Sequence, residues 1–246
     1  MGGYLTALLL ALMPAAGNFA GGLLAEFFRV SQRSLSFALH AAAGIVLAVV
    51  GIELVPEALA TGPAWLMLLA LLAGGGFAIA VDWLLDLVQT RGGDLPGERA
   101  VGPWSIYFGV SVDLFSDGIM IGTGSIISPA LGLLLALAQV PADVPEGFAT
   151  IATFRRKGFG RSLRLLLAAS FALPILAGTT LGYWAVRGQP DAVKFALLAF
   201  TAGILLTVAI EEIVVQAHQQ GPESRWASLF LVGGFVLFAA ITTYAG

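Results

Sequence analysis

Cysteine is absent from the 246 residues, so the chain has neither a disulfide framework nor a thiolate metal site. Charge is almost as scarce: Asp, Glu, Lys and Arg make up 11 % of the residues, where an ordinary soluble domain carries about 25 %. That excludes a water-soluble globular domain. The net charge is −3 and there is no long basic run, so the electrostatic footprint of a nucleic-acid binder is missing too. What the chain has instead is apolar sequence. Hydrophobic residues form 58 % of it, in stretches of about 20 or more, the length needed to cross the hydrocarbon core of a bilayer.

Gly, Pro and charged clusters divide the chain into eight such stretches, at 3–28, 35–60, 64–90, 103–127, 130–154, 162–186, 194–217 and 226–245. Each reads as a spanning helix, giving an all-α polytopic membrane protein with a single transmembrane domain over 1–246. The first stretch lacks the basic leader and the cleavage site of a signal peptide. Lys and Arg accumulate on the cytoplasmic side of short loops. Loops one, three, five and seven hold Arg29 and Arg33; Arg91 and Arg99; Arg155, Arg156, Lys157, Arg161 and Arg164; and Arg225, while the other side holds Arg187 and Lys194. This asymmetry places both termini outside.

An internal repeat agrees with that orientation. Ala43, Gly44, Ile45, Leu47, Val49 and Glu53 of the second stretch recur at one offset as Ala202, Gly203, Ile204, Leu206, Val208 and Glu212 of the seventh, and the two stretches run in opposite directions. Apolar strings of this kind also recur by chance, and the shared glutamate is what chance explains worst. An inverted repeat is the architecture with which many transporters alternate their access.

The acidic residues are the unusual feature. Glu26, Glu53, Glu57, Asp82, Asp86, Asp113, Asp117, Asp143, Glu146, Glu211 and Glu212 lie inside or at the ends of the spans, and no Lys or Arg lies deep in any of them. An ionised carboxylate in hydrocarbon costs several kcal/mol unless paired, so these groups call for protons, water or a cation. Glu53 and Glu57 end the second span on the outer side. Asp113, Asp117, Asp143 and Glu146 fall mid-membrane, and Asp82, Asp86, Glu211, Glu212 and Glu26 lie towards the cytoplasm. Such a ladder suits a descending cation.

The middle rung consists of Asp113-Leu-Phe-Ser-Asp117-Gly118 and Ala142-Asp143-Val-Pro145-Glu146-Gly147. Spacings of four and three residues put each pair on one helical face. Pro145 cannot donate to the carbonyl one turn earlier, which leaves a backbone oxygen for an ion, and Gly118, Gly122 and Gly124 allow close helix approach. The opposing reading is a set of protonated carboxyls hydrogen-bonded between helices. His40 reads as a packing or interfacial residue, His218 as a solvated loop residue, and Asn18 as an interhelical hydrogen bonder. Glu26, Asp82 and Asp86 fit an interfacial role equally well. The five tryptophans lie mostly near span ends and read as anchors.

The two central motifs resemble the metal-binding helices of the ZIP family of divalent metal transporters, prokaryotic branch, whose fourth helix reads roughly His-Asn-x-Pro-Glu-Gly and fifth His/Gln-Asn/Asp-x-Pro-Glu-Gly. Glu53-Leu-Val-Pro56-Glu57-Ala is also similar to that family's second-helix ending. The resemblance implies a 3+2+3 arrangement: a helix triplet at 1–90, a central metal-binding pair at 103–154 and a second triplet at 162–246. It implies inward movement of Zn²⁺, or of Zn²⁺, Mn²⁺ and Fe²⁺, by alternating access, with Asp113, Asp117, Asp143 and Glu146 as ligands. The metal is substrate, and no cofactor or catalytic residue is implied. The implied setting is the plasma membrane, and the implied partners are the lipid bilayer and a second copy of the chain.

The sequence departs from the family pattern at several points. Asp113 stands where the family has histidine, Leu114 replaces asparagine, Ser116 replaces proline, Asp117 shortens a glutamate, and Ala142 replaces histidine or glutamine. Pro174 and Val46 stand where relatives supply a further glutamate and a methionine. With no imidazole in the motif, the donor set is all oxygen, which suits Mn²⁺, Mg²⁺ and Ca²⁺ while still binding Zn²⁺ and Fe²⁺. A non-transporting metal sensor of ZIP descent and an intramembrane metal-dependent hydrolase remain alternatives.

Overall fold

The computed structural model describes residues 2–28, 31–90, 103–219 and 225–245. Among these residues the chain forms eight long helices that follow the apolar stretches. They are α1 (Gly2–Phe27), α2 (Gln32–Ala48, continued through Val49–Leu54 and Val55–Thr61), α3 (Ala64–Thr90), α4 (Pro103–Ile127), α5 (Pro129–Arg156), α6 (Arg161–Ser170 and Ala172–Val186), α7 (Asp191–Val208, continued through Ala209–Val214 and Val215–Gln219) and α8 (Arg225–Ala245). Seven of them are long and apolar enough to cross a membrane. The remaining one, α5, is more polar because it carries Gln139, Asp143, Glu146 and two internal prolines.

The helix boundaries follow local chemistry. Ser31 accepts the Ser34 backbone N–H at 3.0 Å and opens α2, and Ser128 does the same for Leu131 at 3.0 Å ahead of Pro129, where a missing N–H does no harm. Gly158 and Gly188 follow α5 and α6 with φ of 80° and 77°, a left-handed conformation that costs glycine nothing.

The helix pairing has an exchange pattern. The most extensive pairs are α1 with α5, α4 with α6, α3 with α7 and α2 with α8. Exchanging 1 with 6, 2 with 7, 3 with 8 and 4 with 5 converts this set into itself. The close approaches obey the same exchange: a Cβ on Gly44 would overlap the Leu231 carbonyl, and one on Gly203 the Leu71 carbonyl. Gly44 and Gly203 are one of the repeated pairs, so the repeat is used in packing and not only in composition.

The middle of α2 and of α7 is wound as a π-helix, over Val49–Leu54 and Ala209–Val214. The Val55 N–H reaches back five residues to the Val50 carbonyl, immediately before Pro56, which has no N–H to give. The two wide turns contain Glu53 in one and Glu211 and Glu212 in the other, at corresponding depths of the two repeats. Such turns are rare and recur at functional sites. The helices least buried are α3 and α8; Leu68, Leu72, Val232 and Val236 point outward from them, as lipid-facing residues must.

Candidate metal pathway

Helices α4 and α5 lie side by side in the interior. Gly118 and Gly122 press α4 against the Ile175 and Thr179 carbonyls of α6, and Gly147 presses α5 against the Asn18 carbonyl of α1. These glycines directly follow or closely neighbour the acidic residues, so with the glycine sides wedged against α6 and α1, the acidic sides meet inside. Asp113, Asp117, Asp143 and Glu146 are all buried, Asp117 and Asp143 to 1 % exposure.

Within this layer, Asp113 and Glu146 face each other across the two helices. Asp117 lies within electrostatic range of both Asp113 and Asp143, and Asn18 of α1 lies beside Asp143. Gln139 donates its side-chain N–H to Asp117 Oδ1. Asp113 Oδ1 and Asp143 Oδ2 are buried without a hydrogen bond. The two ion pairs among the described residues, Arg164 with Glu26 and Lys194 with Asp191, belong to other places. The four expected ligands are therefore brought into one buried layer, in which Asp113, Asp117 and Asp143 have other acids and the amides of Gln139 and Asn18 as neighbours. Among the described residues no three His, Asp or Glu side chains are gathered closely enough to chelate a single ion as they stand.

Gln139 is the site residue that the motifs did not suggest, although its spacing could have: it precedes Asp143 by four residues and Glu146 by seven, which is the same face of α5. Asn18, expected to hydrogen-bond between helices, stands at the helix interface beside Asp143, but its Nδ2 and Oδ1 are both buried without a hydrogen bond. Both prolines of α5 are accommodated in an unbroken helix. Ser116, at the position of the family's proline, returns its hydroxyl to the Val112 carbonyl at 3.0 Å. The backbone oxygen that a proline would release is occupied here, so α4 can offer side chains only.

The outer rungs separate. Glu53 is partly exposed and Glu57 exposed near the end of α2, and Glu211 is exposed on α7. Asp82, Asp86 and Glu212 lie on described helices, but their side chains are outside the described residues. Glu26 has a counter-charge after all. Arg164 of α6 holds it through Nε and through Nη2 to Oε2 at 2.7 Å, while Arg155 of α5 caps the Ala25 carbonyl at 2.7 Å. Arg164 does not lie deep in a span; it reaches Glu26 from the first turn of α6. Glu26 is a clasp between α1, α5 and α6. His218, expected in a solvated loop, is exposed as expected but lies on the last helical segment of α7, where its ring also meets that of His40.

The sequence has counterparts among known proteins. A family model described as ZIP zinc transporter matches residues 88–242. Two proteins called zinc transporter ZupT, from Salmonella paratyphi A (strain ATCC 9150 / SARB42) and Salmonella newport (strain SL254), are each 29 % identical over 234 residues, spanning 89 % of this chain and 89 % of their own. The family match spans well over half of the chain and includes both acidic motifs, so this polytopic helical protein belongs to the ZIP zinc transporter family.

Proposed function

We propose that the protein carries a divalent metal cation, zinc foremost, into the cytoplasm through the carboxylate layer between α4 and α5. The observation that carries this reading is the group of four buried acids in one layer, where Asp113, Asp117 and Asp143 have other acids and two amides as their neighbours. Buried like charges are stable only if something neutralises them, and a passing dication does so while replacing the missing partners of Asp113 Oδ1 and Asp143 Oδ2. Glu146, Asp117 and Asp143 are the proposed direct ligands, Asp113 completes the set, and Gln139 orients Asp117. Because every ligand is oxygen, Mn²⁺ and Fe²⁺ compete with Zn²⁺ more evenly than at an imidazole site.

Glu53 and Glu57 serve the outer approach, and Glu211, Glu212, Asp82 and Asp86 the inner one. Alternation between the two faces uses the exchange-related triplets 1–90 and 162–246 around the central pair 103–154, with the π turns of α2 and α7 as deformable points. The proposed setting is the plasma membrane, with both termini outside and a second copy of the chain as the partner that the family resemblance implies. Uptake of radioactive zinc into proteoliposomes tests the reading. Wild-type protein should accumulate the ion, and Glu146→Gln should lose most of that uptake while remaining folded. Undiminished uptake by Glu146→Gln removes the mechanism.

A further inference from the structure

The chain has two histidines, and they meet. His40 lies on α2 and His218 near the end of α7, and their rings are 4.8 Å apart between centroids with planes at 66°. Each ring is tied to its own helix: His40 Nδ1 lies 2.8 Å from the Ser36 carbonyl and His218 Nδ1 2.7 Å from the Val214 carbonyl. A carbonyl oxygen can only accept, so both Nδ1 atoms carry a proton, and in the neutral rings both Nε2 atoms keep their lone pairs. An imidazole whose far nitrogen is held by a backbone carbonyl is the usual form of a metal-ligating histidine.

The separation also suits an ion. Two imidazoles on one zinc, each with Zn–N of about 2.0–2.1 Å and a near-tetrahedral angle between them, have ring centres about 5 Å apart. We propose that His40 and His218 form a second divalent-cation site, with two Nε2 donors and water in the remaining positions, at the inner end of the pathway. His40 is buried and His218 exposed, so the pair sits where interior meets solvent. Glu211, two turns before His218 on α7, supplies negative charge on the approach. Arg33, the basic residue nearest to His40 along α2, is held over the Phe37 ring at 5.5 Å. Two neutral ligands hold a dication less tightly than the carboxylates do, which suits a site that receives an ion and passes it on.

This site extends the carrier reading but does not depend on it. With ¹⁵N-histidine labelling there are two residues to observe, and His218→Ala assigns them. Zinc should move the Nε2 resonances of both rings of wild-type protein in nanodiscs, with both Nδ1 protons retained. Equilibrium dialysis with zinc should show one ion fewer bound by His218→Ala than by wild type, and again one fewer when the same change is made in Glu146→Gln. His40→Asn should lose the same ion, which separates ligation from damage at either histidine alone. If neither ring or only one responds, or if His218→Ala binds as many ions as wild type, the site does not exist. Glu146→Gln binding as many ions as wild type would instead remove the central site and leave this one standing.

Discussion

Replacing Asp143 with Asn should stabilise the protein in chelator and take away its stabilisation by zinc. Asp143 is 1 % exposed, Oδ2 has no hydrogen bond, and two further acids of the layer lie within electrostatic range. Asparagine has the same shape, carries no charge and can exchange hydrogen bonds with the neighbouring Asn18. Replacing an imperfectly satisfied buried carboxyl should contribute about 1–3 kcal/mol. In a chain of this length each kcal/mol moves Tm by about 2–4 °C, so the melting point in chelator should rise by several degrees. Zinc at a hundred times its Kd should add about 2.7 kcal/mol to the wild type and much less to the variant, which lacks one of the charges that hold the ion. Thermal unfolding in nanodiscs, with chelator and with saturating zinc, reads both effects. If Asp143→Asn melts lower in chelator and keeps the full zinc increment, the carboxyl is a structural hydrogen-bonding group and the layer is not a cation site.

Three other outcomes follow from the same packing. Glu26→Gln leaves the Arg164 guanidinium without its carboxylate and should cost about 3 kcal/mol, with little further loss when Arg164→Gln is added, as thermal unfolding of the single and double variants would show. A single cysteine at Lys157, exposed and with an ordinary backbone conformation unlike Gly158, should be protected from an impermeant thiol reagent in intact cells, while cysteines at the termini react. Glu53→Gln and Glu212→Gln should each lower uptake several-fold and leave zinc binding at the central layer near the wild-type value; normal transport by both variants would reduce their correspondence to coincidence.

The spans were legible because hydrophobic run length is the dominant constraint in a bilayer, and the helices begin and end within a few residues of the apolar stretches. The acidic layer was legible because buried charge is expensive enough to be conspicuous in an apolar sequence. Three features were not. The π turns at Val49–Leu54 and Ala209–Val214 widen the helix by one residue, which no composition signal marks except Pro56 in the first. The clasp of Glu26 by Arg164 joins residues 138 positions apart, and only the approach of α1 to the start of α6 brings them together. Gln139 is uncharged and therefore inconspicuous, although it stands beside a buried carboxylate. The histidine pair shows the same limit: each residue read alone is an ordinary interfacial side chain, and the pairing exists only because the end of α7 packs on α2.

Asp113 is where these observations bear on metal choice. It faces Glu146 across the helix pair, and its Oδ1 has no hydrogen bond, so an imidazole in its place would find a carboxylate ready to hold one ring nitrogen and leave the other for the ion. Leu114 and Ser116, the neighbouring departures from the family pattern, are turned to packing and to the Val112 carbonyl, and neither can supply a nitrogen. Asp113→His should therefore raise zinc over manganese in competitive uptake by about tenfold, equivalent to about 1.4 kcal/mol. Measurement at matched expression, as the ratio of the two radiometals taken up, is insensitive to a uniform loss of transport. Manganese depends more on the oxygen cage and should lose ground even if total uptake falls. An unchanged ratio in a variant that still transports would mean that Asp113 does not touch the ion, and would leave selectivity to Asp117, Asp143 and Glu146.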